Sequence, residues 1–206
     1  MPRSKSSNQW LARHVSDPFV KKAQVDGYRS RSAYKLIELN EKDRLIRPGM
    51  RIMDLGSAPG GWSQVAGKLV GAKGRVLATD ILPMASLANV DFIQGDFTED
   101  ATVEKLLEWL GGGKFDLIVS DIAPNITGID SADQASSMYF LELALDTVRR
   151  TLKPGATFVA KMFQGAGSDQ YLKDLRTSFD KVLIRKPAAS RAQSREVYIV
   201  AKGFKG

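Results

Sequence analysis

The sequence predicts an α/β protein with a doubly wound, mostly parallel sheet and extra helices before the first strand. Five short apolar runs, each suited to a buried strand of a parallel sheet, alternate with segments of helical periodicity. Two further apolar runs near the C-terminus, joined by a loop rich in Lys, Arg and Ser, predict two adjacent strands there. Ligands of such sheets bind at the carboxyl ends of the strands.

The N-terminal part of the chain is predicted to be helical. Residues 1–7 are rich in Ser, Lys and Arg and are expected to be loose. Residues 8–48 form a helical extension, with helices over 8–25 and 31–45, the second ending before Pro48 and Gly49. A length of 206 residues favours a single domain over 1–206.

The later elements are placed by their apolar residues. Strands are predicted at 51–54, 75–78, 90–93, 115–119, 156–160, 181–185 and 195–200, and a last helix at 169–178. Two intervening helices are each predicted to bury one face. These faces comprise Val103, Leu106, Leu107 and Leu110, and Met138, Leu141, Leu145, Val148 and Leu152.

Composition and charge exclude several classes of protein. No apolar run approaches the ~20 residues of a membrane helix, and the first residues lead into no apolar segment, so a cytoplasmic protein without a membrane partner is expected. The chain has no cysteine and one histidine, His14, so no metal site is expected. Net charge is +6 over 1–50, −5 over 51–158 and +6 over 159–206. The basic ends favour a nucleic acid partner over a merely solvated basic surface.

Carboxylates lie at the ends of four predicted strands. Asp54 closes the first strand and precedes a turn of small residues, and Asp80, Asp96 and Asp121 lie at the ends of the next three. A carboxylate after the second strand suits ribose hydroxyls, and one after the third suits an adenine amine. The turn lacks the glycine fingerprint of dinucleotide binders, and clustered carboxylates repel a pyrophosphate. S-adenosylmethionine, which carries a positive sulfonium and no phosphate, fits this pattern better.

Four segments of the chain resemble the FtsJ-type RNA 2′-O-ribose methyltransferases. They are Asp54-Leu-Gly-Ser-Ala-Pro-Gly-Gly-Trp-Ser, Ser120-Asp-Ile-Ala-Pro-Asn, Val159-Ala-Lys-Met-Phe-Gln-Gly and Ser190-Arg-Ala-Gln-Ser-Arg-Glu-Val-Tyr. The resemblance extends over nearly the whole chain. It is strongest to the bacterial heat-shock members that methylate a uridine ribose in large-subunit ribosomal RNA.

The resemblance implies a fold, a cofactor, a partner and a set of site residues. The fold is the Rossmann-like sheet of S-adenosylmethionine-dependent methyltransferases, and the partner is ribosomal RNA in the assembled large subunit. Apart from the resemblance, a monomer is expected. The implied catalytic residues are Lys35, Asp121, Lys161 and Glu196. The implied cofactor contacts are Gly60, Trp62, Asp80, Asp96 and Asp121.

Lys161 differs from a surface lysine because it closes the apolar run 156–160. Methyl transfer requires a ribose hydroxyl held in line with the sulfonium methyl. We assign binding and activation of that hydroxyl to Lys161, its orientation to Lys35 and Glu196, and the link to the cofactor site to Asp121. Lys161 acts either as a base or as a positioning cation, and the sequence leaves both open. Candidates for phosphate contacts are Arg29, Arg31, Arg191 and Arg195.

Two other functional classes remain possible from the residues alone. A nicotinamide-dependent oxidoreductase would use the same type of sheet, but the glycine fingerprint is missing. A non-catalytic, ribosome-associated RNA-binding protein would use the basic ends, but it would not need Lys161 or Asp121.

Overall fold

The computed structural model describes residues 17–124 and 127–206. The helices in this part of the chain are α1 (Pro18–Asp26), α2 (Ala33–Asp43), α3 (Gly61–Val70), α4 (Asp100–Leu110), α5 (Asp130–Thr151) and α6 (Ser168–Ser178). The strands are β1 (Arg51–Leu55), β2 (Arg75–Asp80), β3 (Val90–Gln94), β4 (Phe115–Ser120), β5 (Leu152–Phe163), β6 (Phe179–Arg185) and β7 (Glu196–Phe204).

The seven strands form one sheet in the order β3-β2-β1-β4-β5-β7-β6. The first five strands pair in parallel, whereas β7 runs antiparallel to both of its neighbours, β5 and β6. The chain first fills one half of the sheet with β1 to β3 and then the other half from β4 onward. The loops leaving β1 and β4 therefore diverge, and the crevice between them is the usual ligand site of doubly wound sheets. The predicted fold class is confirmed.

Helices cover both faces of the sheet. The face formed by residues such as Ile52 and Val159 packs against α2 and α3. The face formed by their neighbours Met53 and Phe158 packs against α4, α5 and α6. Successive residues of a strand point to opposite faces, so both must be apolar, and this explains the unbroken apolar runs in the sequence.

The predicted helix over 8–25 is wrong as one continuous helix. Asp17 is extended, its side chain accepts a 3.0 Å hydrogen bond from the Phe19 N–H, and Pro18 takes the first helical position. An aspartate cap followed by proline is a strong helix start, because the cap pairs a free N–H and proline has none to leave unpaired. Residues 1–16, which include the segment 1–7 expected to be loose and His14, lie outside the described residues.

Other boundaries differ by a few residues. The helix predicted at 31–45 is the shorter α2, while β5 extends at both ends beyond 156–160 and β7 continues past 200 to Phe204. The end of β5 pairs with β7 up to Phe163, its start at Leu152 pairs with Phe115 of β4, and Phe204 of β7 pairs with Phe179 of β6. Leu152 begins β5 instead of closing α5. Leu107 is 37% exposed, because it is turned about 100° from its buried neighbour Leu106 on α4.

Candidate active site

A cavity of about 380 Å³ lies in the crevice at the ends of β1 to β4. Its lining includes three carboxylates, those of Asp80, Asp96 and Asp121, and none of its lining residues is a lysine, arginine or histidine. Gly56 forms part of the wall, and a Cβ at this position would clash with the Ile122 side chain. The loop after β1 can therefore approach the loop after β4 only with glycine there.

Three of the five residues predicted to contact a cofactor line this cavity. Asp80, Asp96 and Asp121 line it, whereas Gly60 and Trp62 do not. Gly60 precedes α3 with a φ of 106°. The Trp62 indole is buried; its Nε1 donates to the Ser32 carbonyl at 2.8 Å, and its ring lies 5.6 Å from that of Tyr198. Trp62 therefore connects α3 to the start of α2 and to Tyr198 of β7.

Asp54 lies buried beneath the loop after β1. One of its oxygens accepts a 2.6 Å hydrogen bond from Ser63 Oγ, and the other has no hydrogen-bond partner among the described residues. Burial raises the pKa of Asp54 to about 7, and the nearby charges of Asp121 and Asp80 act in the same direction. Below about pH 7 Asp54 is therefore mostly protonated and adds little negative charge to that of the three cavity carboxylates.

The four residues of the predicted catalytic set come together as two ion pairs. Lys35 Nζ lies 2.6 Å from Glu196 Oε1, joining α2 to β7. Lys161 Nζ donates to the Asp121 carbonyl at 2.7 Å and lies 3.2 Å from Asp121 Oδ1. Both lysines are only 8% exposed. Because each Nζ is held in a fixed place by acceptors, the site presents positioned amines next to the acidic cavity.

Tyr198 joins the two ion pairs, and it is not among the site residues predicted from the sequence. Its ring is fully buried, and its hydroxyl donates to Asp121 Oδ1 at 2.6 Å and lies 3.4 Å from Glu196 Oε1. Burial and these two carboxylates raise the pKa of the Tyr198 hydroxyl well above its ordinary value, so it stays a donor. The sequence did carry a signal: Tyr198 is two residues after Glu196 and so lies on the same face of β7.

Glu196 remains ionised within this network. Although burial opposes its charge, the charge of Lys35 and the hydrogen bonds from Lys35 and Ser190 hold the pKa of Glu196 below its ordinary value. Ser190 Oγ donates to Glu196 Oε1 at 2.7 Å. The carboxylate can therefore fix the position of Lys35 with its charge intact.

Comparison with known proteins decides the family. The FtsJ-like methyltransferase family matches residues 28–204, which is most of the chain. The chain belongs to the FtsJ-like methyltransferase family. It is 72% identical to the ribosomal RNA large subunit methyltransferase E of Stutzerimonas stutzeri strain A1501 over the full length of both chains. It is 63% identical to the protein of that name from Marinobacter nauticus, covering 100% of this chain and 99% of the relative.

A solved structure agrees with this family. The FtsJ-like methyltransferase aligns with a crystal structure described as a ribosomal RNA methyltransferase from Plasmodium falciparum, with a TM-score of 0.79 and 33% identity. The alignment covers 87% of this chain and all of the other. These similarities favour methyl transfer over both hydride transfer and a non-catalytic RNA-binding role.

The four candidate phosphate contacts of the FtsJ-like methyltransferase differ in how they are placed. The Arg29 guanidinium donates to the carbonyls of Pro59, Ala85 and Ser86 at 3.2, 2.7 and 2.8 Å, and so connects the segment before α2 to the crevice loops. Arg31 pairs with Asp17 and donates to the Ala189 carbonyl. Arg29 and Arg31 therefore both make stabilising contacts between distant segments of this chain.

The other two arginines are more available to a partner. Arg191 lies 3.7 Å from Asp17, and Arg195 lies 3.5 Å from Asp130, with about half of each arginine side chain exposed. Contact of these residues with phosphate stays a prediction. Among the described residues, no group of three or more His, Asp or Glu side chains could hold a metal ion, and no helix is long and apolar enough to cross a membrane.

Proposed function

We propose that this FtsJ-like methyltransferase transfers a methyl group from S-adenosylmethionine to the 2′-hydroxyl of a ribose in ribosomal RNA. The proposed target is a uridine in the assembled large subunit, and the proposed active form is a monomer in the cytoplasm. The main support for this proposal is that buried Lys161 pairs with Asp121, which lines the acidic cavity. The names of the relatives support ribosomal RNA as the substrate.

The cavity suits the proposed cofactor by its chemistry. Hydroxyls, an amine and a positive sulfonium all gain from carboxylate acceptors, whereas a pyrophosphate would meet three negative charges and no cation in the lining. Asp80 would bind the ribose hydroxyls, Asp96 the adenine amine, and Asp121 the side nearest the sulfonium. Gly60, in the loop after β1, and Trp62, in the first turn of α3, are further proposed contacts outside the cavity lining.

Bound S-adenosylmethionine would supply an electrophilic methyl group. The protein must hold one hydroxyl oxygen in line with that methyl, and the hydroxyl must lose its proton. The main-chain carbonyl and Oδ1 of Asp121 both contact Lys161 Nζ and fix its position. The third hydrogen-bonding position of this amine is then available to the ribose hydroxyl. We assign binding of the hydroxyl oxygen to Lys161, and Lys161 or the solvent takes up the proton.

The second ion pair has a supporting role in this scheme. Lys35 and Glu196 are joined through Tyr198 to Asp121 and thus to Lys161. Movement of either residue would change the position of the Asp121 carboxylate. We therefore assign Lys35 and Glu196 to orientation of the ribose and of Lys161.

The proposal is tested by locating the transferred methyl group. The protein would be incubated with S-adenosylmethionine labelled in its methyl group and with large ribosomal subunits from cells lacking the enzyme. We expect label in 2′-O-methyluridine after digestion to nucleosides. Label on a base, label in another nucleoside, or no transfer to either subunits or free RNA would contradict the proposed reaction or its proposed target.

A further inference from the structure

A second cavity, of about 270 Å³, lies beside the ion pairs at the ends of β5 and β7. Its lining includes Pro124, Gln134, Phe163, Gln193 and Arg195. Pro124 also lines the cofactor cavity, so the two cavities share one wall. The two cavities are therefore direct neighbours along this edge of the sheet.

Phe163 connects the second cavity to Lys161. It is two residues beyond Lys161 on β5, on the same face of the sheet, and it pairs with Glu196 on β7. The centre of the half-buried Phe163 ring is 5.9 Å from Lys161 Nζ. Gln134 Nε2 fixes this segment by donating to the Phe163 carbonyl at 3.1 Å and to the Ala166 carbonyl at 3.0 Å.

The charges of the second cavity disfavour a phosphate ligand. Its lining holds two carboxylates, Asp130 and Asp133, against one cation, Arg195, which lies 3.5 Å from Asp130. The Asp133 carboxylate accepts hydrogen bonds from Thr127 and Gly128 and is already satisfied. A neutral ligand is therefore favoured over an anion.

The remaining lining suits a flat ring with polar edges. Phe163 and Pro124 offer apolar surfaces, and exposed Gln193 has no hydrogen-bond partner among the described residues. An amide side chain carries both a donor and an acceptor, as does the edge of a nucleic acid base. Proteins commonly recognise unstacked RNA bases by aromatic stacking combined with hydrogen bonds to the base edge.

We propose that the second cavity holds the base of the same nucleotide whose ribose is methylated, turned out of its stack in the RNA. Its ring would lie on Phe163 and its polar edge would face Gln193. In one nucleoside, only two sugar carbons separate the base from the 2′-oxygen, so a base on Phe163 places that oxygen near Lys161. This inference rests on the proposed function and adds that the target base must leave its stack, as in enzymes that extrude a nucleotide before reacting with it.

Aromatic rescue at position 163 tests the stacking. Transfer efficiency is measured as the single-turnover rate constant divided by the dissociation constant for large subunits. Phe163→Leu should lower this efficiency by about 5- to 100-fold, the range expected for losing one base–aromatic stack. Phe163→Tyr should restore near-normal transfer, because the ring is kept. Tyr139→Leu removes a 55% exposed aromatic ring that does not line the cavity and should have no effect. Equal transfer by wild type and Phe163→Leu would overturn the proposal.

Gln193→Ala tests the base edge independently, and its exposed position avoids damage to the fold. We expect weaker transfer with an unchanged dependence of RNA binding on salt, because an amide releases no counterions from phosphate. The matched control is Gln170→Ala, which removes an exposed glutamine bonded to Asp174 on α6. Equal transfer by Gln193→Ala and Gln170→Ala, or a reduced salt slope for Gln193→Ala, would overturn the role of Gln193.

Two results separate this proposal from the proposed function. If the wild-type protein transfers no methyl group to ribose, the proposed function fails and the base cavity fails with it. If wild-type transfer is normal and both Phe163→Leu and Gln193→Ala match it, only the base cavity fails. Calorimetry with S-adenosylmethionine identifies a misfolded variant, in which case the remaining variant decides.

Discussion

Lys161 on β5 lies directly opposite Tyr198 on β7, and both side chains contact the Asp121 carboxylate. This arrangement connects the middle of the sheet to the loop after β4, where Pro124 lines both cavities. It also means that Asp121 is held by one cation and one hydroxyl, both nearly buried. The Asp121 side chain is only 16% exposed, so loss of either partner would leave its charge poorly compensated.

Replacing Tyr198 with Phe should affect both stability and transfer. The hydroxyl gives a 2.6 Å hydrogen bond to Asp121, so its loss should lower the free energy of unfolding by ~1–3 kcal/mol. Turnover should also fall, because the Asp121 carboxylate would lose one of its two constraints. The two effects are measured by urea denaturation and single-turnover transfer.

Tyr171→Phe is the matched control for this variant. Tyr171 is also buried, but its hydroxyl donates to the Leu141 carbonyl at 2.9 Å, away from the ion pairs. It should lose comparable stability and keep normal turnover. Equal turnover losses in both variants would mean that Tyr198 acts only through stability.

Asp80→Ala tests the cofactor cavity. Two backbone N–H groups, of Ala58 and Leu82, donate to Asp80 and hold its carboxylate at the end of β2. Loss of its proposed bonds to ribose hydroxyls should weaken S-adenosylmethionine binding by ~1–3 kcal/mol in calorimetry. Asp91→Ala, which removes an aspartate paired with Arg75 outside the cavity, should leave the affinity unchanged. Unchanged affinity for Asp80→Ala would remove Asp80 from the site.

Asp54→Asn should change how stability depends on pH. The folded protein holds a proton on Asp54 up to about pH 7, whereas the unfolded chain releases it near pH 3.8. The stabilisation from this proton is therefore complete below about pH 4 and is lost as the pH rises towards 7. Relative to wild type, Asp54→Asn should become progressively more stable over that range, as measured by urea denaturation at several pH values. Parallel stability curves would show that Asp54 is not titrating there.

The strand ends, and Lys161 and Asp121 at two of them, could be predicted from the sequence because each is a short local pattern, whereas Lys35 was proposed only from the family resemblance. An apolar run that ends in Lys161 or Asp121 identifies a strand and its ligand-facing end without knowledge of the rest of the chain. Tyr198 and Phe163 were not found, because their roles depend on the β5–β7 register, which residues distant in sequence determine. The three carbonyl contacts of Arg29 also depend on loops that the sequence does not place.

Arg191 and Arg195 provide a test of the basic surface. Replacing both with Ala should weaken RNA binding and reduce its salt dependence, because each phosphate contact releases counterions. Cofactor affinity should not change, since neither residue lines the cofactor cavity. Replacing Arg29 is a less clean test, because its guanidinium also supports the loops of that cavity. A salt slope equal to that of wild type would show that Arg191 and Arg195 do not contact phosphate.

Assembled large subunits should be methylated faster than protein-free ribosomal RNA. The proposed base cavity requires one nucleotide to be presented out of its stack, and a folded subunit can fix that geometry in advance. The comparison uses equal concentrations of the target in both forms. Equal rates would contradict a preference for the assembled particle.

Single-turnover methyl transfer by Lys161→Ala on large subunits, at saturating S-adenosylmethionine, tests the proposed chemistry most directly. The matched control is Lys153→Ala, which changes a 60% exposed lysine at the start of the same strand. We expect near-normal cofactor binding for both variants, normal transfer by Lys153→Ala and a loss of ~10²-fold or more for Lys161→Ala. Lys161→Arg should not restore transfer, because a guanidinium differs in shape and does not release its proton, and Glu196→Ala should cost less than Lys161→Ala. Near-normal transfer by Lys161→Ala would contradict the role of Lys161 in binding and activating the hydroxyl.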